Sequence, residues 1–185
     1  PVPQPESEKK REVIPIDSKL YFAYGSNMND EQMEFRCPDA EAVGTVCLEG
    51  YRLAFRSNGT GRGVATILPD ETGRVEGVLW KISADDERHL DLYEGYPSLY
   101  GKETVEVKGR DGTLLPVMAY TMTERFRGNP ARPSTGYLHG ILTGCAEHGI
   151  EMDSVLDAVR EAVRESADRE LFQKRAPKMD EKQER

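Results

Sequence analysis

The sequence predicts an α+β fold in which a small, mixed, barrel-like sheet of about seven strands is packed about by about four helices. Three observations predict it. Short segments with alternating apolar residues outnumber the helical ones. Several are joined by hairpin signals such as Asn58-Gly59 and Asp111-Gly112, and the helices fall between groups of strands instead of following each strand in turn. Strict strand-helix alternation would point instead to a doubly wound parallel sheet.

The elements follow in order. Lys19 to Ala23 form an apolar strand that breaks into Tyr24-Gly25-Ser26-Asn27-Met28. Asn29, with Gln32 three positions on, is a capping-box variant that starts a short helix through Arg36. Val43 to Leu48 form a strand, and Tyr51, Leu53 and Phe55 lie on one face of the next. Beyond the Asn58-Gly59 turn come a strand from Gly63 to Leu68, a turn at Pro69 to Gly73, and a strand from Val75 to Ile82 that holds Trp80. Ser83 caps a helix with Asp86 and Glu87 in its first turn, which stops at Glu94-Gly95. Val105 and Val107 pair across Asp111-Gly112 with Leu114 to Met122, where Pro116 requires an edge or a bulge. Thr123 to Pro133 read as a surface excursion. Ser134 then caps a helix with Leu138, Ile141, Leu142 and Cys145 on one stripe, and Gly149 ends it. The last helix carries Met152, Val155, Leu156, Val159 and Val163 at helical spacing, a face that can pack internally or form a homodimer with a second copy.

Composition bounds the organisation. The 185 residues are 37% apolar and 31% charged, enough for one good core. Pro1, Pro3, Pro5 and Pro15 among charged residues mark 1–18 as a disordered N-terminal tail, and 166–185 read as a charged C-terminal tail, leaving a single domain at 19–165. No apolar run approaches the ~18 residues needed to span a bilayer, so the expectation is a soluble, cytoplasmic protein with no membrane partner. The net charge of −8 argues against nucleic acid, which demands a basic surface. Cys37, Cys47 and Cys145 have no metal-ligand spacing, because Cys145 and His148 lack a second pair, and they read as reduced structural thiols. No metal is expected.

Two segments carry chemistry. Gly25 lets the chain pass close to a ligand, Ser26 and Asn27 bring short polar groups to the mouth of a strand, and a helix N-terminus follows with free N–H donors. Such a junction suits a carboxylate, a phosphate or a developing oxyanion; taken alone, a Gly-Ser-Asn reads by default as a surface turn. The second segment, Leu92-Tyr93-Glu94-Gly95-Tyr96, sets one acid among apolar and aromatic residues. Desolvation there would raise the Glu94 pKa toward what a general base needs near neutral pH, whereas at a solvated helix end it would do nothing. Asp91 competes for the role but falls on the other side of the helical turn. Arg62, between Gly61 and Gly63, either meets a carboxylate or is a solvated side chain at a hairpin tip, and His89, His139 and His148 are too scattered to form a site.

Tyr24-Gly25-Ser26-Asn27-Met28 after a strand, Leu92-Tyr93-Glu94-Gly95, Tyr120 in a strand, and the segment from Tyr137 through Gly-Cys-Ala-Glu-His-Gly-Ile150 together resemble the γ-glutamylcyclotransferase family, in order, from about Leu20 to Ile150. The resemblance implies a cyclisation in which the α-amine of a γ-glutamyl group attacks its own γ-carbonyl, releasing 5-oxoproline and a free amine or amino acid, with no cofactor. It implies Glu94 as the general acid/base, Tyr24, Gly25, Ser26, Asn27 and Met28 as the substrate-holding loop, and Tyr120 and Tyr137 as cavity-lining tyrosines. Whether the loop holds the substrate carboxylate or the oxyanion stays open. So does the leaving group, which the loops near Ser57 to Arg62 and Thr123 to Arg132 would read. The same chemistry could serve glutathione metabolism or unmask a γ-glutamyl-protected biosynthetic metabolite. A noncatalytic metabolite-binding module of the same fold is the alternative from another class.

Overall fold

The computed structural model describes residues 18–175, so the expected N-terminal tail, apart from Ser18, and the last ten residues lie outside the described residues. Five strands close into a barrel: β1 (Ser18–Ala23), β2 (Glu41–Ser57), β3 (Gly63–Ser83), β4 (Tyr100–Lys108) and β5 (Leu114–Met122), arranged β1-β3-β2-β4-β5. All neighbours are antiparallel except β1 and β5, which close the ring in parallel at Tyr21 and Met118. Closure removes the exposed edges that an open sheet of this size would present.

The expected seven strands become five because two pairs are continuous. Gly50, at φ +80°, and the residues between Pro69 and Arg74 form a bulge instead of ending their strands, and pairing resumes on both sides, from Ser57 with Gly63 to Glu41 with Lys81. The Pro69–Gly73 turn does exist, as an excursion inside β3 closed by Asp70 Oδ1 accepting from Thr72 N at 3.1 Å. Pro116 lies opposite Glu106 in the β4–β5 hairpin.

Helices are α1 (Asp30–Arg36), α2 (Ala84–Glu94), a short α3 (Glu124–Arg127), α4 (Thr135–His148) and α5 (Asp153–Arg175). The caps form where the side chains dictate. Asn29 Oδ1 accepts from Gln32 N at 3.0 Å, Ser83 and Asp86 make a reciprocal capping box, and Ser134 Oγ accepts from Tyr137 N. Gly95 and Gly149 end α2 and α4 in the left-handed conformation. Of the expected stripe, Val155 is buried and Met152 and Val159 pack against the core, joined by buried Ala158 and Ala162, whereas Val163 is 45% exposed; Glu161 and Glu165 of α5 pair with Arg52 and Arg56 of β2. The helix runs ten residues past Glu165, into the segment expected to be a charged tail. Ser166 Oγ donates to Pro130 O and Arg169 to Gly128 O, so an ordered partner surface holds it there.

Two packings position the site. Helix α4 lies against the turn after β1 and against α1 at two glycines: a Cβ on Gly144 would sit 2.7 Å from Asn29 N, and one on Gly140 would sit 2.4 Å from Gln32 Nε2. The Thr123–Pro133 excursion is stitched to the end of β2 and the start of β3, because Arg56 donates to Arg127 O, Ser57 N to Asn129 O and Gly63 N to Arg132 O.

Candidate active site

Strand β1 delivers Tyr24 and Gly25 to one end of the barrel, where Ser26–Met28 make a single 3-10 turn before Asn29 starts α1. That turn's own bonds run from Met28 N and Asn29 N to the carbonyls of Gly25 and Ser26, so the N–H groups of Gly25, Ser26 and Asn27 stand ahead of them as first-turn donors. Trp80 of β3 fixes the turn by donating Nε1–H to Asn27 O at 3.0 Å. A Cβ on Gly25 would meet Ala65 at 3.1 Å, which keeps this position small.

The end of α2 brings Glu94 to the same place. Asn27 Nδ2 donates to Glu94 Oε1 at 2.9 Å and to Tyr21 OH at 2.9 Å, while Asn27 Oδ1 accepts from Arg36 of α1. Arg36 also donates to Gln32 Oε1 at 2.7 Å and lies 3.6 Å over the Tyr93 ring. Glu94 is half-buried by surface area because it faces an open cavity, but the protein packed around the carboxylate raises its pKa from 4.5 to about 7. Arg36 and the Asn27 hydrogen bond oppose that rise and do not cancel it.

The cavity has a volume of about 300 Å³ and is lined by Gly25, Ser26, Asn27 and Glu94 together with a set of tyrosines. Burial pushes the phenols of Tyr21, Tyr24, Tyr100, Tyr120 and Tyr137 above their usual value, so they stay neutral. Their hydroxyls differ in what remains free. Tyr24 OH donates to Tyr120 O, Tyr100 OH to Ala65 O, and Tyr120 OH to Asp91 Oδ1 at 2.6 Å. Tyr21 OH and Tyr137 OH instead accept, from Asn27 Nδ2 and from Ala65 N at 3.0 Å; Tyr137 OH also meets the Ser26 side chain, while Tyr21 OH keeps its own proton to give. The site therefore offers one carboxylate of near-neutral pKa beside a row of fixed donors.

Residues 21–139 match the family described as gamma-glutamyl cyclotransferase, AIG2-like. The chain belongs to that family. The human gamma-glutamylcyclotransferase is 32% identical over 145 residues, 74% of this chain and 75% of its own length. A solved structure of a gamma-glutamyl cyclotransferase is 30% identical, with a TM-score of 0.68, over 74% of this chain and 83% of that one. A yeast gamma-glutamyl cyclotransferase specific to glutathione, 15% identical with a TM-score of 0.58 over 81% of this chain and 97% of its own, shares the fold. Among the described residues no helix is long and apolar enough to cross a membrane.

Within this γ-glutamyl cyclotransferase chain the sequence-predicted residues mostly converge. Tyr24, Gly25, Ser26, Asn27, Glu94, Tyr120 and Tyr137 all line the cavity. Met28 does not: it is 1% exposed and packs beneath α4 at Gly144. Tyr120 contributes its ring, since its hydroxyl is committed to Asp91. Sequence reasoning assigned no role to Tyr21, Tyr93, Arg36 or Tyr100, although Tyr100 is buried in the cavity wall. Arg36 had a local signal, the Gln32–Arg36 spacing of four on the helix that follows the loop. Tyr100 had none, because its place depends on the pairing of β4 with β5.

Proposed function

We propose that this chain is a cytoplasmic γ-glutamylcyclotransferase in which Glu94 is the general acid/base and the N–H groups of Gly25, Ser26 and Asn27 hold negative oxygens on the glutamyl half of the substrate. The observation that carries the reading is the Asn27–Glu94 contact, which places an acid of raised pKa one hydrogen bond from the donor loop. A pure binder of an acidic metabolite gains nothing from an acid there.

The chemistry follows from those parts. Ionised Glu94 takes a proton from the α-ammonium of the bound γ-glutamyl group, and the freed nitrogen attacks the γ-carbonyl carbon to close a five-membered ring. Negative charge moves to the carbonyl oxygen, where preorganised N–H donors are worth on the order of 10² or more in rate each. As the C–N bond to the leaving group breaks, the ring nitrogen sheds its second excess proton. The departing nitrogen gains the two released protons and leaves as an ammonium, with Glu94 ending as it began. The ring that remains is 5-oxoproline. Holding the chain folded so that nitrogen meets carbonyl supplies much of the rest, a task suited to the rigid tyrosine wall.

The test is incubation with a panel of γ-glutamyl amino acids and chromatographic detection of 5-oxoproline. Formation from at least one substrate is expected. No product from any of them would overturn the reading.

A further inference from the structure

Arg62 is the one cationic side chain among the described residues that line the cavity. The cavity wall is graded in exposure: Tyr21, Asn27 and Tyr100 are buried, whereas Asn58 is half-buried and Arg62 and Ser134 are exposed, which makes these three the mouth. The loop that carries Arg62 is held in place. Asn58 N donates to Arg62 O at 3.0 Å, Ser57 Oγ accepts from Gly59 N and Gly61 N, and Gly63 is so close to the next segment that a Cβ would sit 2.1 Å from Ala131 O.

The guanidinium itself is unused. Arg36 is spent on Asn27, Gln32 and the Tyr93 ring, and Arg56 on Glu165 and two backbone carbonyls, while the Arg62 side chain makes no hydrogen bond or ion pair among the described residues. Asn58 Oδ1 is taken by Thr60, so what Asn58 has left to offer is its Nδ2 donor pair. An unpaired fork of donors beside an amide, at the mouth of a site in a chain of net charge −8, matches a carboxylate on a ligand that would otherwise be repelled.

We propose that Arg62, assisted by Asn58, is a carboxylate subsite for the leaving group, so that the enzyme favours γ-glutamyl conjugates whose departing half carries a carboxylate over simple γ-glutamyl amines. The inference rests on the cyclotransferase reading. A γ-glutamyl amino acid has two carboxylates and one ammonium: the ammonium meets Glu94, the donor loop serves the glutamyl half, and the second carboxylate falls to Arg62, the one cation at the mouth among the described residues.

The test compares γ-glutamylalanine with γ-glutamylethylamide, which differ by that one carboxylate, in the wild type, Arg62→Ala and Arg62→Lys. The wild type should favour γ-glutamylalanine in kcat/KM. Arg62→Ala should lower kcat/KM for γ-glutamylalanine by about 10- to 100-fold, chiefly through KM, and change γ-glutamylethylamide by less than about 3-fold. Arg62→Lys should fall between, since it keeps the charge and loses the fork. A selectivity ratio unmoved by Arg62→Ala, an equal loss on both substrates, or a wild-type preference for the ethylamide overturns the subsite and leaves the cyclotransferase reading standing. Absence of 5-oxoproline from both substrates and from the wider panel overturns that reading, and the subsite with it.

Discussion

Helix α2 ends with two carboxylates one turn apart, and they lead different lives. Asp91 lies on the face turned to the barrel, where it accepts from Tyr120 OH at 2.6 Å and pairs with Lys102 at 2.7 Å, and Lys102 is shared with Glu87. Glu94 lies on the face turned to the cavity, with a neutral amide as its direct partner and the Arg36 cation held one residue away by Asn27. The Asp91 side ties strand, helix and a cavity tyrosine together. The Glu94 side leaves a carboxylate poorly compensated and close to neutrality in pKa. The contrast teaches that burial without a direct cationic partner raises the pKa of one carboxylate, as the proposed base requires, while the neighbouring acid does the structural tying.

The sharpest way to break the comparison is substitution of each acid by its amide. Glu94→Gln should reduce kcat by about 10² to 10⁴ while 5-oxoproline and substrate still bind, measured by steady-state assay and calorimetry. Asp91→Asn should keep kcat within about 10-fold but lower stability by roughly 1 to 3 kcal/mol, because Lys102 loses a charged partner in a half-buried site, read by denaturant unfolding. Equal loss of turnover in both variants would abolish the division of labour.

A smaller effect sharpens the same contrast through pH. With Glu94 as the proposed base, turnover should fall as the solution is acidified through its pKa of about 7, since only an ionised carboxylate can accept the ammonium proton. Arg36→Met removes the largest influence that lowers this pKa, so the acid limb of the kcat/KM profile should move to higher pH. Asp91→Asn should leave that limb in place. A limb that stays put in Arg36→Met would disconnect Arg36 from the base.

The same carboxylate should also leave a mark on stability. Glu94 binds its proton more tightly folded than unfolded. Its ionisation therefore costs nothing below the unfolded value near 4.5, costs more as pH rises from there to about 7, and is constant above. Glu94→Gln should match the wild type at pH 4 and exceed it at pH 8 by about 1 to 3 kcal/mol, seen as a thermal midpoint difference that opens between those pH values.

What the sequence made legible was local. Asn29, Ser83 and Ser134 specify their helix starts, and Gly95 and Gly149 their ends, because a cap depends on residues within four positions. Glu94 could be singled out for the same reason, from the aromatic residues beside it and the glycine after it. The strand count erred where Gly50 and Pro69–Gly73 carry turn chemistry but sit inside continuous ladders, an outcome decided by the partner strand. Tyr21 and Tyr100 reach the site through barrel closure and strand pairing, which no window of sequence encodes. Met28 belongs to the most recognisable motif and still faces the core, since the 3-10 turn rotates it under Gly144.

The bond from Trp80 to the carbonyl of Asn27 has an optical consequence. Trp80 is the sole tryptophan of the chain, it is nearly buried, and its indole nitrogen is attached to the residue that also holds Glu94. Excited at the red edge of its absorption, where the eight tyrosines contribute little, this protein emits from a single indole hydrogen-bonded to Asn27, and a ligand held by the proposed loop is expected to change that emission in a titration without any label.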